Sequence, residues 1–260
     1  MARWIAFNMP EWVSVLVFIG GLPAVMLMLQ RLVRRKFPNW ERGEHNDAAG
    51  VMLSAAVVVY SVAIGLCVIT LWGKLDEAKA ATQAEATNLI AVADGSRVFD
   101  AAVQDQIRSG VIAYNRDVVK LWSQRIDGKS QPQVGADLNS LIATVAQLQP
   151  QTQAQRAFVD DAVARLAEQG ELRFISVRLA RDQQLPDIIW VAVLGGSLVV
   201  LGLCLTFGVQ DSMLRRILLT GVTATVGINL FLVLELNYPF YGSISVGPSS
   251  YADVVTILTR

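Results

Sequence analysis

The sequence predicts an all-α membrane protein: four transmembrane helices in two hairpins, with a helical bundle inserted between the second and third. Three observations carry the prediction. The 260 residues are 53% hydrophobic and only 17% charged, against roughly 25% charged in an average soluble domain. Four stretches reach the roughly 20 apolar residues that a bilayer crossing requires. Between the second and third of them lies a long polar stretch, poor in Gly and Pro and rich in Ala and Gln.

The first hairpin occupies residues 1–73, with spans at about 12–33 and 48–72. The second occupies residues 185–236, with spans at about 188–209 and 217–236. The first span is too long, and too poor in basic residues ahead of it, for a cleaved signal peptide. Gly20, Gly21 and Pro23 place an irregularity within it. Lys and Arg in short loops set orientation. The loop after span one carries Arg31, Arg34, Arg35, Lys36 and Arg42, and the loop after span three carries Arg215 and Arg216. The two tails carry only Arg3 and Arg260. The short loops are therefore expected in the cytoplasm of a cell whose inner membrane holds the chain. Both termini and the insert are expected outside.

The insert, residues 74–184, reads as helical. Lys74 to Ala93 is Ala-rich and continues span two. Asp94-Gly95-Ser96 is a stop and restart signal. Ile107, Val111, Tyr114, Val118, Leu121 and Trp122 recur at three and four, the period of an amphipathic helix. A polar loop from Asp127 to Gly135 is expected, then a short helix through Leu138, Leu141, Ile142, Val145 and Leu148, ended at Pro150. A last helix is expected from about Gln151 to Arg181, with Gly170 as its weak point. Pro186 suits the first turn of span three. Residues 237–260 form an external C-terminal tail in which Pro239 and Gly242 forbid helix continuation. Its part from Tyr251 onward is mildly amphipathic and suited to dock on the insert.

The net charge is zero, 22 basic against 22 acidic residues. That excludes a basic nucleic-acid binder and a disordered acidic chain. Two cysteines make neither a disulfide framework nor a thiolate metal site. Cys67 and Cys204 fall at different depths of their spans, too far apart to bridge. No catalytic constellation, cofactor motif or metal site is present: there is one histidine, no Gly-rich phosphate loop and no Ser-His-Asp set. The expected partners are the lipid bilayer, further copies of the chain and inorganic ions.

Span two is the candidate pore wall. Ser54, Val58, Ser61, Gly65 and Val68 recur at helical spacing as a small, weakly polar stripe, with Val57 beside it. Such a stripe can hydrate ions at its hydroxyls and close at its valines, or let helices approach closely. His45, Asn46 and Asp47 open the same span. They can cap the helix or form a charged pore mouth. Glu85, on the extension of span two, can face a vestibule as a charge ring or face bulk water. Arg178 and Arg181 are candidate partners for it. Glu235, near the outer end of span four, is a further charge-ring candidate, and Asn229 a polar helix-packing residue.

Several pieces together resemble the bestrophin-like family of bacterial membrane proteins. They are His45-Asn46-Asp47-Ala48-Ala49-Gly50 opening span two, Glu85-Ala86 after it, Tyr114 and Trp122 in the insert, Leu185-Pro186 with Trp190 opening span three, and Asn237-Tyr238-Pro239-Phe240-Tyr241-Gly242 after span four. Bestrophins proper are pentameric anion channels whose second helices line the pore. The resemblance implies a homo-oligomeric channel, a pentamer by analogy, conducting anions. The alternative is a non-conducting membrane sensor or scaffold whose external helical domain binds a ligand or envelope partner.

Overall fold

The computed structural model describes residues 10–36, 46–127, 129–182, 184–206 and 212–260. Every regular element among them is helical. Ten α-helices are present among the described residues: α1 (Glu11–Val15), α2 (Leu22–Lys36), α3 (Asn46–Gly95), α4 (Ala101–Lys120), α5 (Trp122–Ile126), α6 (Pro132–Ala146), α7 (Gln153–Arg181), α8 (Asp187–Thr206), α9 (Ser212–Leu236) and α10 (Ser249–Thr259). A π-helical segment, Leu16–Gly21, joins α1 to α2, and a 3-10 turn, Ser96–Val98, follows α3. Among the described residues, four helical runs are long and apolar enough to cross a membrane: Trp12–Lys36, Ala49–Val98, Asp187–Thr206 and Met213–Leu236.

The chain divides into two compact units. The apolar unit comprises Met1–Lys74, Gln183–Tyr238 and Gly242–Ile244. The bundle unit comprises Leu75–Asp182, Pro239–Tyr241 and Ser245–Arg260. Most of the C-terminal residues thus belong to the bundle unit. Helix α3 runs for 50 residues and contributes to both units.

In the apolar unit, α9 packs against α2 and the π segment, and Phe18 meets Phe231 with ring centroids 6.4 Å apart. The close approach is made at Gly227. A Cβ there would overlap the Phe18 carbonyl oxygen, so the residue must be glycine. The irregularity in the first span is therefore a π segment preceding Pro23. That placement follows from chemistry: proline has no N–H to complete a regular ladder. Tyr60 of α3 and Ser197 of α8 share a buried hydrogen bond of 2.7 Å. Gln30, Ser14 and Thr223 are also buried in this unit. Cys67 and Cys204 are both free.

The bundle unit is built on a water-excluding core. Leu89, Val92, Ile107, Val111, Val118, Val134 and Val145 have no accessible surface. Its helices begin where local chemistry dictates. The Asp100 carboxylate accepts the Val103 N–H at 3.0 Å and caps α4. Thr152 and Gln155 form a reciprocal capping box at the start of α7. Pro132 opens α6, where its missing N–H costs nothing. Helix α6 therefore takes in residues expected in a polar loop, Gly135 among them. Helix α7 passes through Gly170 without a break. Helix α10 seals one side of the core with Tyr251, Val254 and Leu258. The Arg108 guanidinium donates to the Leu258 carbonyl at 2.5 Å, satisfying one of the last acceptors of α10.

Candidate functional site

The pore-wall candidates lie on the apolar-unit part of α3. Ser54, Val58 and Ser61 are exposed, and Val57, Gly65 and Val68 are half-buried. The Ser54 hydroxyl donates to the Gly50 carbonyl at 2.8 Å, so within one chain it is satisfied by its own helix. Residues three and four apart share a helix face. The Ser54–Val58–Ser61–Gly65 stripe therefore borders the buried Tyr60–Ile64–Leu71 side of α3, which packs inside the chain. On the stripe's other flank stand Val62, Leu66 and Ile69, each large, apolar and exposed.

The remaining candidates fall in different settings. Asp47 is exposed in the first turn of α3. His45 and the side chain of Asn46 lie outside the described residues. Asn229 is half-buried on α9. Glu235 is half-buried, and its carboxylate accepts the Ser243 N–H at 3.3 Å. It also fills the space that a Cβ at Gly242 would need, and Gly242 has φ +92°. A positive φ at that turn is where glycine is strain-free, so Glu235 and Gly242 form one turn-closing device. Asn237, fully buried, accepts the Leu185 N–H at 2.7 Å through its side chain and the Gln184 N–H at 3.3 Å through its carbonyl. The Asn-Tyr-Pro-Phe-Tyr-Gly segment thereby anchors the entry to α8.

Glu85 corrects the expectation placed on it. It is neither a vestibule ring nor a solvated face: it has no accessible surface and sits inside the bundle unit. Its partner is Arg125, not Arg178 or Arg181; Arg178 approaches Asp182 instead, at 3.6 Å. Arg125 is also sealed. Its Nη2 donates to Glu85 Oε2 at 2.5 Å and to Ser176 Oγ, and its Nη1 donates to the Tyr251 hydroxyl at 3.1 Å. The Tyr114 hydroxyl donates to Glu85 Oε1 at 2.8 Å, and Ser176 donates to Oε2. Gln169 donates to the Glu85 carbonyl at 2.9 Å and accepts from Asn88 at 3.0 Å. The guanidinium lies 5.3 Å from the Trp122 ring centre and 5.7 Å from that of Tyr251, both within cation–π range. Trp122 in turn packs on Phe240. One ion pair thus joins α3, α4, α5, α7 and α10.

The electrostatics follow from this enclosure. Burial, the largest single influence, pushes the Glu85 carboxyl up, and the adjacent Arg125 charge opposes it. Hydrogen bonds from Arg125, Ser176 and Tyr114 add to that charge, and the carboxyl is held below its usual range. Burial followed by the Glu85 charge pushes the hydroxyls of Tyr114 and Tyr251 up, so both remain donors. The site is a closed, charge-compensated core rather than a surface for ions.

Sequence reasoning missed Arg125 altogether. It lies 40 residues from Glu85, on a five-residue helix too short to show a period. The only available signal was Tyr114 and Trp122, polar-tipped aromatics on an otherwise apolar face, which require partners when buried.

No curated protein and no solved structure matches the chain. A family model does, over residues 20–251, which takes in most of the first apolar run, the other three whole, and the bundle as far as the start of α10. The chain belongs to the Bestrophin-like domain family.

Proposed function

We propose that the protein is a homo-oligomeric ion channel of the bacterial inner membrane, with α3 of each copy lining the pore. The single observation that carries this reading is the small, weakly polar face of α3. Ser54 and Ser61 stand exposed one above the other on α3, while Val51, Met52, Val59, Val62 and Leu66 around them are exposed, large and apolar. Lipid gives no reason to gather hydroxyls on one face, whereas a path for hydrated ions does. The valines at 57, 58 and 68 supply the constriction, closing by dewetting. Membership in the family makes anions the expected cargo and a ring of five the expected assembly. The four spans then form two hairpins with the bundle inserted between them. Loop charge puts the short loops in the cytoplasm, and the termini and bundle outside. Asp47 remains a mouth residue in this reading; Glu85, being sealed, takes no part in selectivity.

The test is the reversal potential of the purified protein in planar bilayers under a KCl gradient. Reversal near the chloride equilibrium supports the proposal. Reversal near the potassium equilibrium retains the pore, discards the anion assignment and turns attention to Asp47. Absence of current across voltage and pH favours the sensor or scaffold alternative. Ser61→Trp is expected to abolish flux while assembly survives; unchanged flux removes α3 from the pore wall.

A further inference from the structure

Two cavities of the apolar unit share lining residues and differ in chemistry. The first, about 290 Å³, is lined by Leu27, Gln30, Arg31, Arg34, Arg215 and Arg216. The second, about 210 Å³, is lined by Leu53, Cys204, Leu218, Leu219 and Val222, and again by Gln30 and Arg215. Four guanidiniums thus gather around one space, and an apolar space adjoins it through two common residues. The arginines come from the last two turns of α2 and the first two turns of α9. Those are the ends of two membrane-crossing runs, the depth at which lipid headgroups lie.

Arginine presents a planar fork of donors that matches phosphate oxygens in pairs. Basic pockets between membrane helices hold anionic headgroups for this reason. An inorganic anion would use the arginine cavity alone and would leave the apolar one without purpose. A molecule that fills both must carry a phosphate at one end and hydrocarbon at the other. We infer that this paired cavity is a binding site for an anionic phospholipid. Its phosphate sits among Arg31, Arg34, Arg215 and Arg216, and one acyl chain enters the space bounded by Leu53, Leu219 and Val222. Gln30, buried at the junction, is placed to meet the ester region. The site does not depend on conduction, so a failed channel reading leaves it standing.

The experiment is native mass spectrometry of the full-length protein in detergent, titrated in parallel with dioleoyl phosphatidylglycerol, dioleoyl phosphatidylcholine and inorganic phosphate. A retained phosphatidylglycerol adduct is expected, favoured roughly tenfold or more over phosphatidylcholine, the loss that one charge-assisted contact makes. The Arg31→Gln/Arg216→Gln variant, changed at two exposed positions, is expected to lose that preference. Arg31→Lys/Arg216→Lys retains charge without the fork and is expected to fall between. Val222→Trp, which fills the apolar cavity, is expected to weaken phosphatidylglycerol binding. Equal retention of both lipids overturns the inference, as does an unchanged preference in the Gln variant. Inorganic phosphate competing with phosphatidylglycerol at equal concentration, with Val222→Trp silent, overturns the lipid assignment and leaves a free-anion site.

Discussion

Helix α3 passes through two surroundings, and the difference between them teaches what each solvent demands. In the apolar unit its Val58, Val59, Val62, Leu66 and Ile69 are 59–71% exposed within the chain. In the bundle unit its Leu75, Ala78, Ala86, Leu89 and Val92 have no accessible surface at all. Hydrocarbon does not penalise apolar surface, so the first part needs only a narrow buried stripe around Tyr60, Ile64 and Leu71. Water does penalise it, so the second part must close a core. Polar groups follow the opposite logic. The apolar unit buries single hydrogen bonds such as Tyr60–Ser197, while the bundle buries a complete ion pair, surrounded by donors and rings.

The largest effect is expected at that ion pair. Glu85→Ala leaves the Arg125 charge buried and uncompensated, at a cost of about 3–5 kcal/mol. Hydrogen exchange should accelerate in α4, α7 and α10. Replacing both partners by apolar residues, Glu85→Leu with Arg125→Met, should recover most of the loss, because the desolvation cost disappears with the charges. A double variant as unstable as the single one would mean that the hydrogen bonds, not the charges, hold the bundle. Acid tests the same pair. The native Glu85 carboxyl is held below its ordinary range. Its stabilisation is therefore complete above about pH 4.3, the unfolded value, and is lost as pH falls through the lower native value. Unfolding curves of the bundle between pH 7 and pH 3 should show that direction, and Glu85→Gln should flatten it.

Core truncation sharpens the contrast next. Ile107→Ala in the bundle should cost about 2–5 kcal/mol, whereas Leu66→Ala on the exposed face of α3 should stay within about 0.5 kcal/mol in nanodiscs. A large loss at Leu66 would identify that face as an interface between copies. Within the apolar unit, Gly227→Val should cost about 1–3 kcal/mol through overlap with the Phe18 carbonyl. Gly221→Val, where nothing lies within 4 Å, should not. Thermal melts in nanodiscs distinguish the two. A modest loss is expected for Tyr60→Phe, about 0.6 kcal/mol, the average for a hydrogen bond between membrane helices.

Much of this was legible along the chain. The four apolar runs declared themselves by length, since a bilayer sets a minimum and few other settings supply one. The stops at Asp94-Gly95-Ser96 and after Leu236 were readable in turn chemistry, and Ile107, Val111, Tyr114 and Val118 took the inward face that their spacing required. The start of α6 was not, because Pro132 stands between polar residues and its helix-opening role emerges only with the apolar face that follows. The role of Glu85 was hidden for a different reason. Its Ala-rich surroundings are equally compatible with water on every side, so periodicity says little about which face turns inward.

The sequence by itself determined the class of the protein, its four apolar runs, its helical character and its family, because these rest on length, composition and local capping, all of which act between near neighbours. Tertiary structure alone decided that Glu85 meets Arg125, that Asn237 ties down Leu185, and that Arg31, Arg34, Arg215 and Arg216 border one cavity. Each of these joins residues from separate segments of the chain. Which helix faces meet is settled by the packing of whole surfaces, a property that no short window of residues contains.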